Sequence, residues 1–116
     1  METIHTIETP ELTGKFNKQE LDILHFIEGW LPTLTDWSVD ELAHKTRVTA
    51  SDAHEAVDML ILHGLLANDG DCPRTGRRVL VPHDAATWMR ANSETIYSLH
   101  MMNDTDQYEE EETAMA

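Results

Sequence analysis

The stretch that most restricts what this chain can become is residues 38–66, SVDELAHKTRVTASDAHEAVDMLILHGLL. Ser38 and Glu41 have the spacing of a capping box, in which a hydroxyl accepts an orphan N–H at a helix start and a glutamate reaches back. Asp40 and Glu41 then sit in the first turn, where the helix dipole favours acids. Leu42 and Ala43 face inward, and this short helix is spent by about Lys45. Val48 plugs the turn and Thr49 caps a second, longer helix, with Asp52 three positions on. Ala53, Ala56, Val57, Leu60 and Ile61 recur at helical spacing and form its buried stripe, while Ala50, Ser51, His54 and Asp58 point the other way. Gly64 is placed as the C-cap, and Leu65-Leu66-Ala67 reads as a strand. Two helices at a tight turn, running into a strand, leave few folds open.

The flanks build on this unit. Asn17 and Glu20 form another capping signature. Behind it Leu21, Leu24, Ile27 and Leu31 follow a helical stripe widened by Ile23, Phe26 and Trp30. Gly29 weakens the last turn of that helix and Pro32 ends it. A loop over residues 33–37 follows, with Trp37 covering the core from the side. After the first strand the turn formers of residues 68–76 make a hairpin tip, residues 77–81 return as its second strand, and Pro82 stops it. A last long helix is expected from Asp84, as its cap, to about Met101. Ala85, Trp88, Met89, Ile96 and Leu99 mark its apolar side, with Asn92 the misfit. The expectation is one mainly helical domain over residues 17–102 with a small β-hairpin. Residues 1–16 read as a flexible leader or a short edge strand at Thr3–Ile7, and residues 103–116 as an acidic disordered tail.

Charge bears on partners. Eight basic residues stand against 22 acidic ones, a formal net charge of −14. Asp104, Asp106 and the four glutamates 109–112 account for six of those acids, so the rest of the chain still carries −8. An acidic body repels a polyanion at long range, whereas a duplex-binding face is ordinarily basic. High-salt adaptation, with three lysines in the chain, or solubility alone would also account for the acidity. Cys72 is the sole cysteine, which excludes an intramolecular disulfide and fits a reducing, cytoplasmic compartment. No run approaches the ~18 apolar residues of a membrane span, and no basic-then-apolar start marks a secretory signal.

Glu41-Leu42-Ala43, Val48-Thr49, Leu60 and Gly64-Leu65-Leu66 together resemble the winged helix-turn-helix family of small transcription regulators, over roughly residues 18–82. The resemblance implies a recognition helix lying in the major groove of DNA and a hairpin wing touching the backbone. Carried onto this sequence, it places Thr49, Ala50, Ser51, His54 and Glu55 on the reading face. Arg74, Arg77 and Arg78 fall on the wing, and Lys45 and Arg47 lie near phosphates at the turn. Those five bases are most of the chain's eight. Two departures stand against it: the outward face of the recognition helix carries Asp52, Glu55 and Asp58 with no Lys or Arg, and Arg47 stands where the family often uses Gly.

Two functions follow. The leading expectation is a DNA-binding transcription regulator, dimeric through its C-terminal helix, that clamps double-stranded DNA with the arginine wing. The alternative is an acidic winged-helix interaction module whose Asp52, Glu55 and Asp58 engage a basic protein partner, as an adaptor, an inhibitor or a DNA mimic. The bland reading of the wing pairs its arginines with Asp69, Asp71 or the tail; a tail folded over the wing would be autoinhibitory. His54 and Asp58 share a helix face, but no HxxxH or Cys/His cluster indicates a metal, and no cofactor is expected. No nucleophile elbow, Gly-rich phosphate loop or Ser/His/Asp arrangement indicates an enzyme.

Overall fold

The structure, a computed structural model, describes residue 12 and residues 15–102. The expected leader strand at Thr3–Ile7 and the acidic tail lie outside these residues. In order the elements are α1 (Lys18–Glu28), β1 (Asp36–Ser38), α2 (Val39–Thr46), α3 (Ala50–Leu62), β2 (Ala67–Cys72), β3 (Gly76–Leu80), α4 (His83–Ala91) and α5 (residues 93–102). Among the described residues, five helices and a three-stranded antiparallel sheet in the order β1-β3-β2 make a mainly helical architecture compatible with a winged helix.

Each early helix starts where its cap requires. Asn17 Oδ1 accepts from the Glu20 amide at 2.8 Å, and Glu20 Oε1 accepts from the Asn17 amide at 3.2 Å, closing the capping box of α1. Ser38 Oγ accepts from the Glu41 amide at 2.9 Å, and Thr49 Oγ1 from the Asp52 amide at 3.1 Å. The ends of α2 and α3 share one hydrogen-bond pattern. After α2, the Arg47 amide donates to the His44 carbonyl and the Val48 amide to the Ala43 carbonyl. After α3, the Gly64 amide donates to Ile61 and the Leu65 amide to Leu60. Both are Schellman closures, which need a left-handed residue at the centre. Gly64 supplies it at φ 81° and Arg47 at φ 61°. Arg47 thus adopts the conformation that Gly takes without steric cost.

The core gathers Ile23, Leu24 and Ile27 of α1, Leu42 of α2, Val57 and Leu60 of α3, Leu65, Leu66 and Val79, and Met89 and Ile96 from the last helices, all fully buried. Leu12 and Phe16, read with the leader, are buried in the same cluster.

The structure departs from the sequence reading at four places. The loop over residues 33–37 contains the strand β1, which pairs with β3 (Asp36 opposite Leu80, Ser38 opposite Arg78) and buries Trp37 rather than leaving it at the side. β2 begins at Ala67 and runs through the expected hairpin tip to Cys72, with a bulge between Asn68 and Asp71 near Gly70 at φ 85°. Trp30 and Leu31 fall past the end of α1, and Trp30 is exposed. Most consequentially, the long last helix is broken. Its N-cap is Pro82 with no side-chain cap bond, so Asp84 is not the cap. Asn92 interrupts it, leaving helical geometry (φ −111°, ψ 20°) while its side-chain amide donates to the Trp88 carbonyl at 2.8 Å. The misfit Asn is the break. By bending there, the chain lays Trp88, Met89 and Ile96 into the domain's own core. The dimer expectation rested on a stripe too long for one small domain to cover, and of that stripe Trp88 and Ile96 are buried within the domain itself. Tyr97, Met101 and Met102 remain outside.

Candidate functional site

The residues expected to contact DNA divide into separate groups. At the outward side of α3, Arg77 reaches across from β3 and is held by several partners. Its Nη2 donates to Asp58 Oδ1 at 2.7 Å and to Asn68 Oδ1 at 3.0 Å, its Nε donates to the same Asn68 oxygen at 3.2 Å, and its Nη1 lies 3.4 Å from His54 Nδ1. The hairpin is thereby tied to the exposed face of α3. His54 and Asp58, considered above as a metal pair, both face this guanidinium.

Arg78 points to the other face of β3, as strand alternation demands. It donates through Nε to Asp36 at 2.9 Å, forms an ion pair with the same carboxylate, and donates to Thr75 Oγ1 at 3.2 Å. Asp69 lies beside this pair. Its hydrogen bond to Asp36, followed by the Arg78 guanidinium, holds the Asp36 carboxyl below the usual carboxylate range, and the same contact pushes Asp69 up. Arg78 is pushed up in turn by Asp36. Hence neither Arg77 nor Arg78 is an unpaired wing base. Their partners are Asp58 and Asp36, and Asp71 takes no part in these ion pairs.

Arg74 is exposed in the turn between β2 and β3, and Cys72 stands at its edge. Hydrogen bonds from Thr75, with help from the backbone at Arg74 and Thr75, lower the Cys72 thiol below its ordinary value. On α3 itself Thr49 is spent as the cap, Ala50 and Ser51 are exposed, and Glu55 is exposed one turn along. Farther along that face, after Asp58, come Met59 at 40% and Leu62 at 77% exposure. The alternative acidic trio is thus unequal: Asp52 sits half-buried in the first turn, Glu55 is open to solvent, and Asp58 is engaged by Arg77.

Lys45 and Arg47 belong to neither group. With Thr46 they line a cavity of about 710 Å³, whose other walls are Lys18, Asp22, His25, Phe26 and Gly29 of α1 and its end, Trp30, and His100 of α5. Nothing in the local sequence pattern marks this cavity, because its walls come from three segments far apart in the chain. Among the described residues no group of three His, Cys, Asp or Glu is placed to hold a metal ion, and no helix is long and apolar enough to cross a membrane.

Comparison with protein-family models, with curated proteins and with solved structures gives no match.

Proposed function

We propose that this chain binds double-stranded DNA and regulates transcription, as the winged helix-turn-helix proteins it resembles do, with the N-terminal half of α3 in the major groove. The observation that carries this reading is the tether from Arg77 to Asp58. It fixes the hairpin beside the helix that would read the groove, and it neutralises the acid on α3 that would otherwise face phosphate. The roles within the expected set shift accordingly. Arg77 and Arg78 are positioning residues, Ser51 and His54 offer hydrogen-bonding groups to base edges, and Lys45, Arg47 and Arg74 serve the backbone.

Three phosphate contacts correspond to a slope of roughly −2.7 in log K against log salt, or about 40-fold weaker binding between ~50 and ~200 mM salt. The test is fluorescence anisotropy of a mixed-sequence duplex with wild type and a Lys45→Gln/Arg47→Gln/Arg74→Gln variant. Salt-sensitive binding that the variant loses supports the reading; no binding at low salt, or binding that the variant keeps, refutes it.

One observation favours the second reading. Glu55, Asp58, Met59 and Leu62 fall on one face of α3 at helical spacing, an exposed strip both acidic and apolar. That composition suits a basic protein partner with an apolar anchor. Under this reading duplex DNA does not bind, and a basic partner loses affinity on Leu62→Ala and on Glu55→Gln.

A further inference from the structure

The cavity walled by α1, the α2–α3 turn and α5 is where the charge of this molecule runs against its average. Among the described residues, Lys18, Lys45 and Arg47 face it with Asp22 as the single acid, in a chain of net charge −14. Asp22 is already answered. It is 7% exposed, its Oδ2 accepts from Lys18 Nζ at 2.8 Å, and its Oδ1 lies 2.8 Å from His100 Nδ1. Lys45 and Arg47 carry no ion pair among the described residues, so the charge facing an incoming group is theirs. A guanidinium and an ammonium lining one cavity suit a phosphate or carboxylate, the one by its planar fork and the other as a point charge.

Beside Gly29 and Thr46, the rest of the wall is aromatic. Trp30 is 49% exposed, an unusual setting for the largest apolar side chain, and it packs edge-on against the buried Trp37, with ring centroids 6.3 Å apart. Phe26 lines the same wall and also packs on Trp37, with centroids 5.1 Å apart, and the His25 and His100 rings stack at 4.4 Å along the cavity. A half-exposed indole braced from behind is a stacking platform for a planar ring. The volume, about 710 Å³, lies within the range of small-molecule sites.

A third observation concerns Arg47 alone. Of the two Schellman closures, one is made with Gly64 and the other with Arg47 in the same left-handed region. The fold would close that turn with less strain using glycine. A strained residue that also supplies one of the two cations of a cavity without an ion pair among the described residues is placed there for its side chain rather than its backbone.

We propose that this cavity binds a small ligand in which a planar ring carries an anionic group, with nucleoside phosphates as the class that fits: the anion on Lys45 and Arg47, the ring on Trp30. The site stands without the DNA reading, and rests on it for one consequence only. A ligand that occupies Lys45 and Arg47 at the helix-turn-helix competes with a DNA backbone for the same two cations, so it acts as an effector that lowers DNA affinity.

The experiment is isothermal titration calorimetry of the full chain, without DNA, in about 20 mM salt, where exposed charges are weakly screened. The probes are AMP, adenosine and inorganic phosphate. AMP is expected to bind with a dissociation constant of about 1 mM or tighter, and about tenfold more tightly than inorganic phosphate. Trp30→Ala should remove that preference, and Lys45→Gln/Arg47→Gln should weaken AMP about tenfold or more. Arg47→Gly separates ligand from fold, since it should weaken AMP while raising the melting temperature; a purely structural residue would not move the two in opposite senses. Equal affinity for AMP and phosphate overturns the ring half of the proposal, and equal affinity for AMP and adenosine overturns the anion half. No heat with any probe overturns both. If AMP binds but duplex DNA does not, the site stands and the DNA reading falls; the reverse result leaves the DNA reading and removes the site.

Discussion

Replacing Arg47 by glycine is expected to stabilise this protein, although it deletes a side chain and adds flexibility to the unfolded chain. The turn after α2 is closed by the Val48 amide on the Ala43 carbonyl at 3.0 Å and the Arg47 amide on His44 at 3.3 Å, with Arg47 at φ 61°, ψ 37°. For a residue with a Cβ that region costs roughly 1–2 kcal/mol. Against the relief of that strain stands the greater freedom glycine has when unfolded, roughly 0.5–1 kcal/mol. The net gain is about 0.7 kcal/mol, or a rise of about 3–6 °C in Tm for a domain of this size. The molecule contains its own control. Gly64 closes α3 by the same two bonds at φ 81°, so Gly64→Ala should reverse the sign and lower stability by a similar net amount, about 0.7 kcal/mol. Urea unfolding followed by circular dichroism reads both variants, with the denaturant slope unchanged as the check that only stability moved. A lower midpoint for Arg47→Gly would refute the reasoning, because it would show the Arg47 side chain making contacts worth more than its backbone strain.

Other consequences are more local. Arg77→Gln should cost about 1 kcal/mol, the scale of a partly screened ion pair with its added hydrogen bonds. The loss should shrink with added salt in the same urea titration, and amide exchange should quicken in β2. For the pair beside Arg78, Asp36 is held low, so its contribution is present above the unfolded pKa and lost as pH falls through its depressed folded value. Asp69 is pushed up, so its protonated form favours the fold, and that contribution is lost as pH rises through the raised value. Asp69→Asn keeps a hydrogen-bond donor toward Asp36 and removes the repulsion, so it should raise Tm at pH 7 and leave it unchanged near pH 3. Thr75→Ala removes the largest influence lowering the Cys72 thiol, and should slow alkylation of Cys72 by iodoacetamide at neutral pH.

How much of this was legible in the chain depends on the range of each interaction. The starts of α1, α2 and α3 were legible because a cap is a contact between residues three apart, and Asn17, Ser38 and Thr49 make the bonds their spacing announces. β1 was not: three residues are too few to alternate, and Asp36-Trp37-Ser38 becomes a strand only because β3 arrives beside it. Asn92 was visible as a polar residue on an apolar stripe, but its consequence, two short helices in place of one long one, depends on the core available to Trp88 and Ile96. The partners of the wing arginines were beyond reach for the same reason. Nearby Asp69 and Asp71 were the local candidates, whereas Arg77 found Asp58, 19 positions away, and Arg78 found Asp36, 42 positions away. The cavity at Lys45 and Arg47 is likewise assembled from α1, the turn and α5, so no local pattern marks it.

The Arg77–Asp58 pair also decides between the two readings of the protein, because the same substitution moves them in opposite directions. Asp58 is 62% exposed at its side chain and carries its charge towards solvent, with Arg77 the group that cancels it. If α3 enters a DNA groove, Arg77→Gln leaves an uncompensated carboxylate near phosphate and lets the hairpin drift from its place. Binding then weakens although no DNA contact has been removed, and restoring neutrality with Asp58→Asn in the same chain recovers part of the loss. If instead the acidic and apolar strip of Glu55, Asp58, Met59 and Leu62 takes a basic partner, Arg77→Gln frees a charge for that partner, and affinity rises. In that case Asp58→Asn cancels the gain. A double-mutant cycle over these two positions, with duplex DNA in one titration and a basic peptide in the other, reads the coupling in both. Its sign with each ligand, independent of the chain's overall acidity, tells which ligand the outward face of α3 is built to meet.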